Sequence, residues 1–250
     1  MNKQKVLLGS LLVSLMAIST VFAGSKTLFN DDGTISCGDK VVKVSKDGRL
    51  KIKLGAKSIS GNQQFYLNSK WTWAPNFENS SYKIDKATKT VTFKGKVANS
   101  KKEISGREYT IEMALLKDGK IKIKTSYTED STPKEQALKF SDMGFFLSIA
   151  YPFAAEKRFL IDGQKTKTTA RADIEMVKTY IDYVRNTEDA ESVVFCPDTP
   201  EYKIKFDLET FEYFFLRLYK DRKSSKASSI KMRISADENI IEFKLDLSDK

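Results

Sequence analysis

Apolar and polar residues alternate with a period of two along most of this chain after residue 30. Leu50, Ile52 and Leu54 alternate with Lys51 and Lys53, and Val91, Phe93 and Val97 share a register with Thr92, Lys94 and Lys96 between them. Ile121 and Ile123 alternate with lysines, as do Tyr202, Ile204, Phe206 and Leu208 with Lys203, Lys205 and Asp207. The same rhythm closes the chain, at Ile230, Met232 and Ile234 and again at Ile241, Phe243, Leu245 and Leu247. Strands of this kind bury one face and wet the other, which is the habit of antiparallel sheets.

The turn signals fall between these runs. Lys117-Asp118-Gly119 separates Tyr109–Leu116 from Lys120–Thr128, and Asp-Gly between alternating segments is a strong hairpin signal. Lys46-Asp47-Gly48, Asp85–Lys89, Asp162-Gly163 and Ala236–Asn239 read as further turns. Helix is scarce: Pro133–Leu138 predicts one or two turns capped by Thr132. Ala172–Val184 carries both helical spacing and strand-forming residues, and its Thr, Tyr, Ile and Val content favours a strand. The expected fold class is all-β: a large antiparallel β-sandwich with little helix. An outer-membrane barrel fits less well, because the strands are short, their polar faces carry Lys and Glu, and no aromatic girdle repeats.

The first residues follow a different pattern. Lys3 and Lys5 precede the apolar run Val6–Phe22, and Val21 and Ala23 place small residues for a cut after Ala23. These features predict a secretory signal peptide over residues 1–23 and one β-sandwich domain over 24–250. The alternative, a membrane anchor, is weakened by Ser10, Ser14, Ser19 and Thr20 within a run of marginal length. The expected location is periplasmic or extracellular, with no integral membrane segment after the cut.

Composition narrows the chemistry. The chain has 250 residues and no histidine, so a Ser-His-Asp triad, a Cys-His pair and a His-ligated zinc are excluded. Forty-three Lys and Arg against 33 Asp and Glu give a net charge of +10, spread over the polar faces of strands. That charge suits solubility and also an acidic or sulfated polysaccharide or an anionic envelope. No nucleic-acid recognition motif is present, and an exported protein would not meet that partner. No phosphate-binding glycine loop, nucleophile elbow or EF-hand loop occurs, and no metal or cofactor is expected. The two cysteines, Cys37 and Cys196, are a disulfide candidate in an oxidising compartment; the alternative is two buried thiols.

Two segments stand out as candidate ligand sites. Trp71 and Trp73 are the only tryptophans, in a stretch that begins at Tyr66. Their i, i+2 spacing puts both on one face of a strand. Exposed, the two rings would stack on sugar rings while Asn68 or Lys70 bonds hydroxyls, with Tyr66 a further ligand-binding candidate; turned inward, they are core. The second segment, Phe211–Arg222, is dense in aromatic residues and encloses Arg217 before ending in Tyr219-Lys220-Asp221-Arg222. Arg217 is either paired within the core or aimed into a cleft, and Asp221 and Arg222 either close a turn or join that cleft.

The hairpin Tyr109–Thr128, the apolar stretch Met143–Pro152, then Phe159–Gly163 and the closing strands from Phe211 to Leu247 together resemble the galactose-mutarotase-like supersandwich of secreted carbohydrate-active proteins. That family uses histidines as acid or substrate-orienting groups. With none in this chain, the resemblance implies the fold and sugar contact, not epimerase activity. The leading expectation is an exported, non-catalytic sandwich that contacts carbohydrate. A His-free lyase or hydrolase acting on acidic glycans, with Tyr219, Arg217 and Arg222 as its groups, stays open, as does a structural module that packs on a protein partner.

Overall fold

The computed structural model describes residues 25–59, 65–69, 72–73, 76–98, 104–128, 142–150, 158–171, 180–220 and 227–248. Strands dominate. The first five, β1 (Leu28–Phe29), β2 (Ile35–Cys37), β3 (Lys40–Val44), β4 (Leu50–Leu54) and β5 (Lys57–Ser58), form a small antiparallel sheet in chain order. Next come β6 (Phe65–Ser69), β7 (Thr72–Trp73), β8 (Asn76–Asp85), β9 (Thr90–Ala98), β10 (Ile104–Leu115), β11 (Ile121–Tyr127) and β12 (Asp142–Ala150). The remainder are β13 (Arg158–Gly163), β14 (Lys167–Arg171), β15 (Tyr180–Thr187), β16 (Ala190–Phe195), β17 (Ile204–Thr210), β18 (Phe214–Lys220), β19 (Ala227–Ser235) and β20 (Ile240–Asp246). A nine-stranded sheet runs β14-β13-β16-β17-β20-β11-β10-β9-β8, and a six-stranded sheet runs β15-β18-β19-β12-β6-β7.

The period-two pattern fixes which faces meet. In the nine-stranded sheet Val91, Met113, Ile123 and Phe243 fall in register on neighbouring strands and are fully buried. In the six-stranded sheet the buried hydrophobic set includes Phe65, Phe145, Leu147, Val184, Phe214, Leu216, Leu218, Met232 and Ile234. Rings join the two faces. Phe145 lies 5.2 Å from Phe243, and Phe65 lies 6.0 Å from Tyr109. These contacts extend into one aromatic chain, from Phe159 through Phe195, Phe206, Phe243, Phe145, Phe65 and Tyr109 to Phe93. The architecture is therefore an all-β antiparallel sandwich, in agreement with the sequence expectation.

The five-stranded sheet closes the other end of the same core. Its inward residues Ile35, Val42, Val44, Leu50, Ile52 and Leu54 belong to the same buried cluster. Three polar contacts pin it to the nine-stranded sheet. The Tyr82 hydroxyl donates to the Val44 carbonyl at 3.1 Å, the Tyr109 hydroxyl to the Gly48 carbonyl at 3.3 Å, and the buried Lys40 ammonium to the Leu247 carbonyl at 2.9 Å. A buried Lys needs such a partner, because an unpaired charge in the interior is costly.

On its outer face the nine-stranded sheet interleaves its lysines with acids. Asp207 takes Lys120 at 2.8 Å and Lys205 at 2.7 Å, Glu242 takes Lys122 at 2.5 Å and Lys124 at 3.9 Å, and Glu209 takes Lys244. Burial alone would raise the Asp207 carboxyl, but its hydrogen bonds to Lys120 and Lys205 outweigh that and hold it below the usual carboxylate range.

Several sequence expectations are corrected in detail. Asp162-Gly163 is not a turn but the end of β13, where the register shifts and Gly163 pairs with Ala190. A side chain there would sit 1.8 Å from the Asp189 carbonyl oxygen, so the glycine marks a close backbone approach. Tyr202 belongs to a short 3₁₀ turn, Pro200–Tyr202, rather than to the strand that follows. Phe211–Tyr213 precedes β18 instead of belonging to it. No disulfide joins Cys37 and Cys196; both are buried, and the Cys37 thiol donates to the Ser25 carbonyl at 2.9 Å. The expected helix Pro133–Leu138 and residues 172–179 of the ambiguous segment lie outside the described residues, and β15 begins at Tyr180.

Candidate functional site

The solvent-facing side of the six-stranded sheet gathers aromatic and cationic residues of four neighbouring strands, β15, β18, β19 and β12. On β18, Phe214, Leu216 and Leu218 point into the core, so Phe215, Arg217 and Tyr219 point out. The register carries this outward set onto the neighbours. Arg217 faces Asp182 on β15 and Lys231 on β19, Tyr219 faces Tyr180, and Phe215 faces Arg233, which in turn faces Phe146 on β12.

The side chains use this register to build a ladder of rings and cations. The Arg217 guanidinium lies 4.1 Å from the centroid of the Tyr180 ring, 5.3 Å from Phe215 and 5.8 Å from Tyr219. The Lys231 ammonium stands 4.0 Å from the Tyr219 ring and 5.5 Å from Phe146. Arg233 donates to the Tyr213 hydroxyl at 2.9 Å and lies 5.8 Å from the Phe215 ring. Each such cation–ring contact contributes about 0.5–1 kcal/mol at an exposed site. Together they hold the rings in fixed orientations without burying them.

Asp182 is the carboxylate of this ladder. It takes the Arg217 guanidinium in a two-pronged pair, Nε to Oδ1 and Nη2 to Oδ2, the latter at 3.3 Å. Burial would lower the Arg217 pKa, but Asp182 and the Tyr219 hydroxyl, 3.4 Å from Nη1, more than compensate, so it lies above the ordinary arginine value. The pair is partly exposed, with side chains 23% and 21% accessible. Its contribution to stability is therefore modest, and its main effect is to fix the guanidinium beneath Tyr180. Tyr180 itself is 44% exposed. Tyr180 and Tyr219 have ring centroids 6.2 Å apart with planes inclined by 44°.

Arg217 is thus paired, as one of its two sequence readings holds, but across strands on the wet face rather than inside the core. Arg217 and Tyr219 come together; Asp221, Arg222 and Trp71 lie outside the described residues. Tyr66 on β6 has Gly144 as its register partner and Trp73 on β7 has Asn68, so both lie on strands toward the edge of this sheet opposite β15. Sequence reasoning missed Tyr180, Asp182, Lys231 and Arg233 as members of the site. The signal for β18 was available, since splitting the aromatic run Phe214–Tyr219 by parity separates its core half from its outer half. No local signal links Tyr180 and Asp182 to it. Among the described residues no group of three or more metal-ligating side chains forms.

No protein-family model matches the chain, and no curated protein matches it. Solved structures do. A GalM/aldose epimerase homologue from C. elegans is similar at a TM-score of 0.45 and 10% identity, over 89% of this chain and 97% of that one. A 4-alpha-glucanotransferase from Thermococcus litoralis is similar at a TM-score of 0.40 and 11% identity, over 90% of this chain and 37% of that one. The fold stands on the chain's own sheets: an antiparallel sandwich whose smaller face carries a braced aromatic and cationic ladder.

Proposed function

We propose that the protein is an exported, non-catalytic β-sandwich that binds an acidic polysaccharide along the outer face of its six-stranded sheet. The observation that carries this reading is the Tyr180–Arg217–Tyr219–Lys231 ladder, in which partly exposed rings are pre-oriented by cations. Sugar rings have apolar faces that stack on flat aromatic surfaces, and rings already held in place lose little freedom on binding. Arg217, Lys231 and Arg233 against Asp182 leave an excess of positive charge, which favours a uronic acid or a sulfated sugar over a neutral one. The Arg217 guanidinium beside Tyr219 is occupied by Asp182, which fits binding better than proton abstraction. The signal-peptide pattern of residues 1–23 supports export.

Affinity electrophoresis of the chain from Gly24 onward tests this. The protein should be retarded in gels containing polygalacturonate and run freely in dextran. The double variant Tyr180→Ala, Lys231→Ala should lose about tenfold in apparent affinity, as expected for one stacked ring and one cation at roughly 1.4 kcal/mol together. Equal mobility in both gels, or full retention in a folded variant, would sink the reading.

A further inference from the structure

The two larger sheets do not account for all of the protein's positive charge. The outward positions of the five-stranded sheet form two rows. Leu28, Ser36, Val41, Lys53 and Ser58 are register partners across β1 to β5, and Lys43 sits directly opposite Lys51 on β3 and β4. Lys43, Lys51 and Lys53 are all exposed, while the alternate residues Val42, Val44, Leu50, Ile52 and Leu54 are buried. Like charges placed directly opposite each other on a sheet face repel.

The nine-stranded sheet solves the same problem with acids. There Lys122 also lies opposite Lys244, but each reaches a glutamate. On the five-stranded sheet no described carboxylate forms an ion pair with Lys43, Lys51 or Lys53. Four acids sit in its turns: Asp31 pairs with Lys86 at 2.7 Å, Asp47 with Arg49 at 3.4 Å, and Asp32 bonds Thr34 while lying within electrostatic reach of Lys43, and Asp39, in the turn between β2 and β3, makes no ion pair with these three lysines. In the same outward row as Lys53, but three strands away at the sheet edge, Leu28 is 50% exposed, one of two large apolar residues so exposed among those described.

We propose that this face docks the protein onto an anionic lipid bilayer. Long lysine side chains reach headgroup phosphates while their methylene stems and the exposed Leu28 lie against the interface. The strands β1 to β5 contain one aromatic residue, Phe29, and it packs against the core. The face therefore offers charge without a stacking platform, which suits a plane of phosphates better than a sugar chain. This docking goes beyond carbohydrate binding and uses a different sheet, so either can fail without the other.

Vesicle sedimentation of the chain from Gly24 onward, which holds every strand of the fold, tests the proposal. The protein should sediment with phosphatidylglycerol-containing vesicles and not with pure phosphatidylcholine. The triple variant Lys43→Gln, Lys51→Gln, Lys53→Gln should lose affinity by about a hundredfold, at roughly fivefold per lysine near the surface. Its fold should survive, since the substitutions relieve a repulsion, and circular dichroism checks this. Lys231→Gln on the other sheet should stay within about twofold of the parent. No sedimentation with anionic vesicles, equal sedimentation of the triple variant, or a loss in that variant of polygalacturonate retardation alone would each overturn it.

Discussion

Phe243→Ala should lower the unfolding free energy by about 4 kcal/mol, within the range seen when a large buried ring is truncated. Phe243 is fully buried on β20 and makes one of the two ring contacts that carry the aromatic chain between the sheets, with Phe206 at 5.6 Å beside it and Phe145 at 5.2 Å across the core. Removing it leaves a void between two sheets whose backbones are each held by ladders on both sides, so little collapse can fill it. A domain with the usual 5–15 kcal/mol of stability would lose a large share. Urea unfolding should show a lower midpoint with an unchanged slope. Phe146→Ala on the outer face should cost under about 1 kcal/mol, because Phe146 is only half-buried. Similar losses at both positions would show that the ring chain is not the centre of the core.

Gly48→Ala should cost about 2–4 kcal/mol, from two separate sources. Gly48 has a φ of +74°, a region in which an L side chain is strained. A methyl group there would also lie 2.5 Å from Cε1 of Phe93, inside the core. Gly119 separates the two effects. Its φ is +84°, but an added methyl would meet nothing closer than the Thr27 hydroxyl at 3.6 Å. Gly119→Ala should therefore cost about 1 kcal/mol, the backbone share alone. Equal melting points for the two variants would remove Phe93 from the explanation.

These two positions show what could be read before the structure. Phe243 and Gly48 were each legible locally, one as the apolar half of an alternating strand and the other as the end of an Asp-Gly turn. That Gly48 also forms the floor beneath Phe93 was not, because the contact joins β4's hairpin to a strand some forty residues away. Lys40 illustrates the same limit. Its charge suits solvent, yet it falls on the inward row with Val42 and Val44, is buried, and bonds the Leu247 carbonyl near the other end of the chain. Alternation reveals that a strand has two faces, while only the assembled sheets decide which strands share one. Hence Arg217 and Tyr219 could be picked out from an aromatic run, whereas Asp182 and Tyr180 joined them only through the β15–β18 register. The lysines carried the same ambiguity. Lys120, Lys122, Lys124 and Lys244 on the nine-stranded sheet meet acids supplied by other strands, whereas Lys43, Lys51 and Lys53 on the five-stranded sheet meet none among the described residues, a difference that counting charges along the chain cannot display.

Amide hydrogen exchange of the chain from Gly24 onward, with and without polygalacturonate, tests the binding face most directly. The account predicts added protection confined to β15, β18 and β19, where Tyr180, Arg217, Tyr219 and Lys231 reside. Protection confined to β3 and β4, or no change anywhere at saturating polysaccharide, would contradict it.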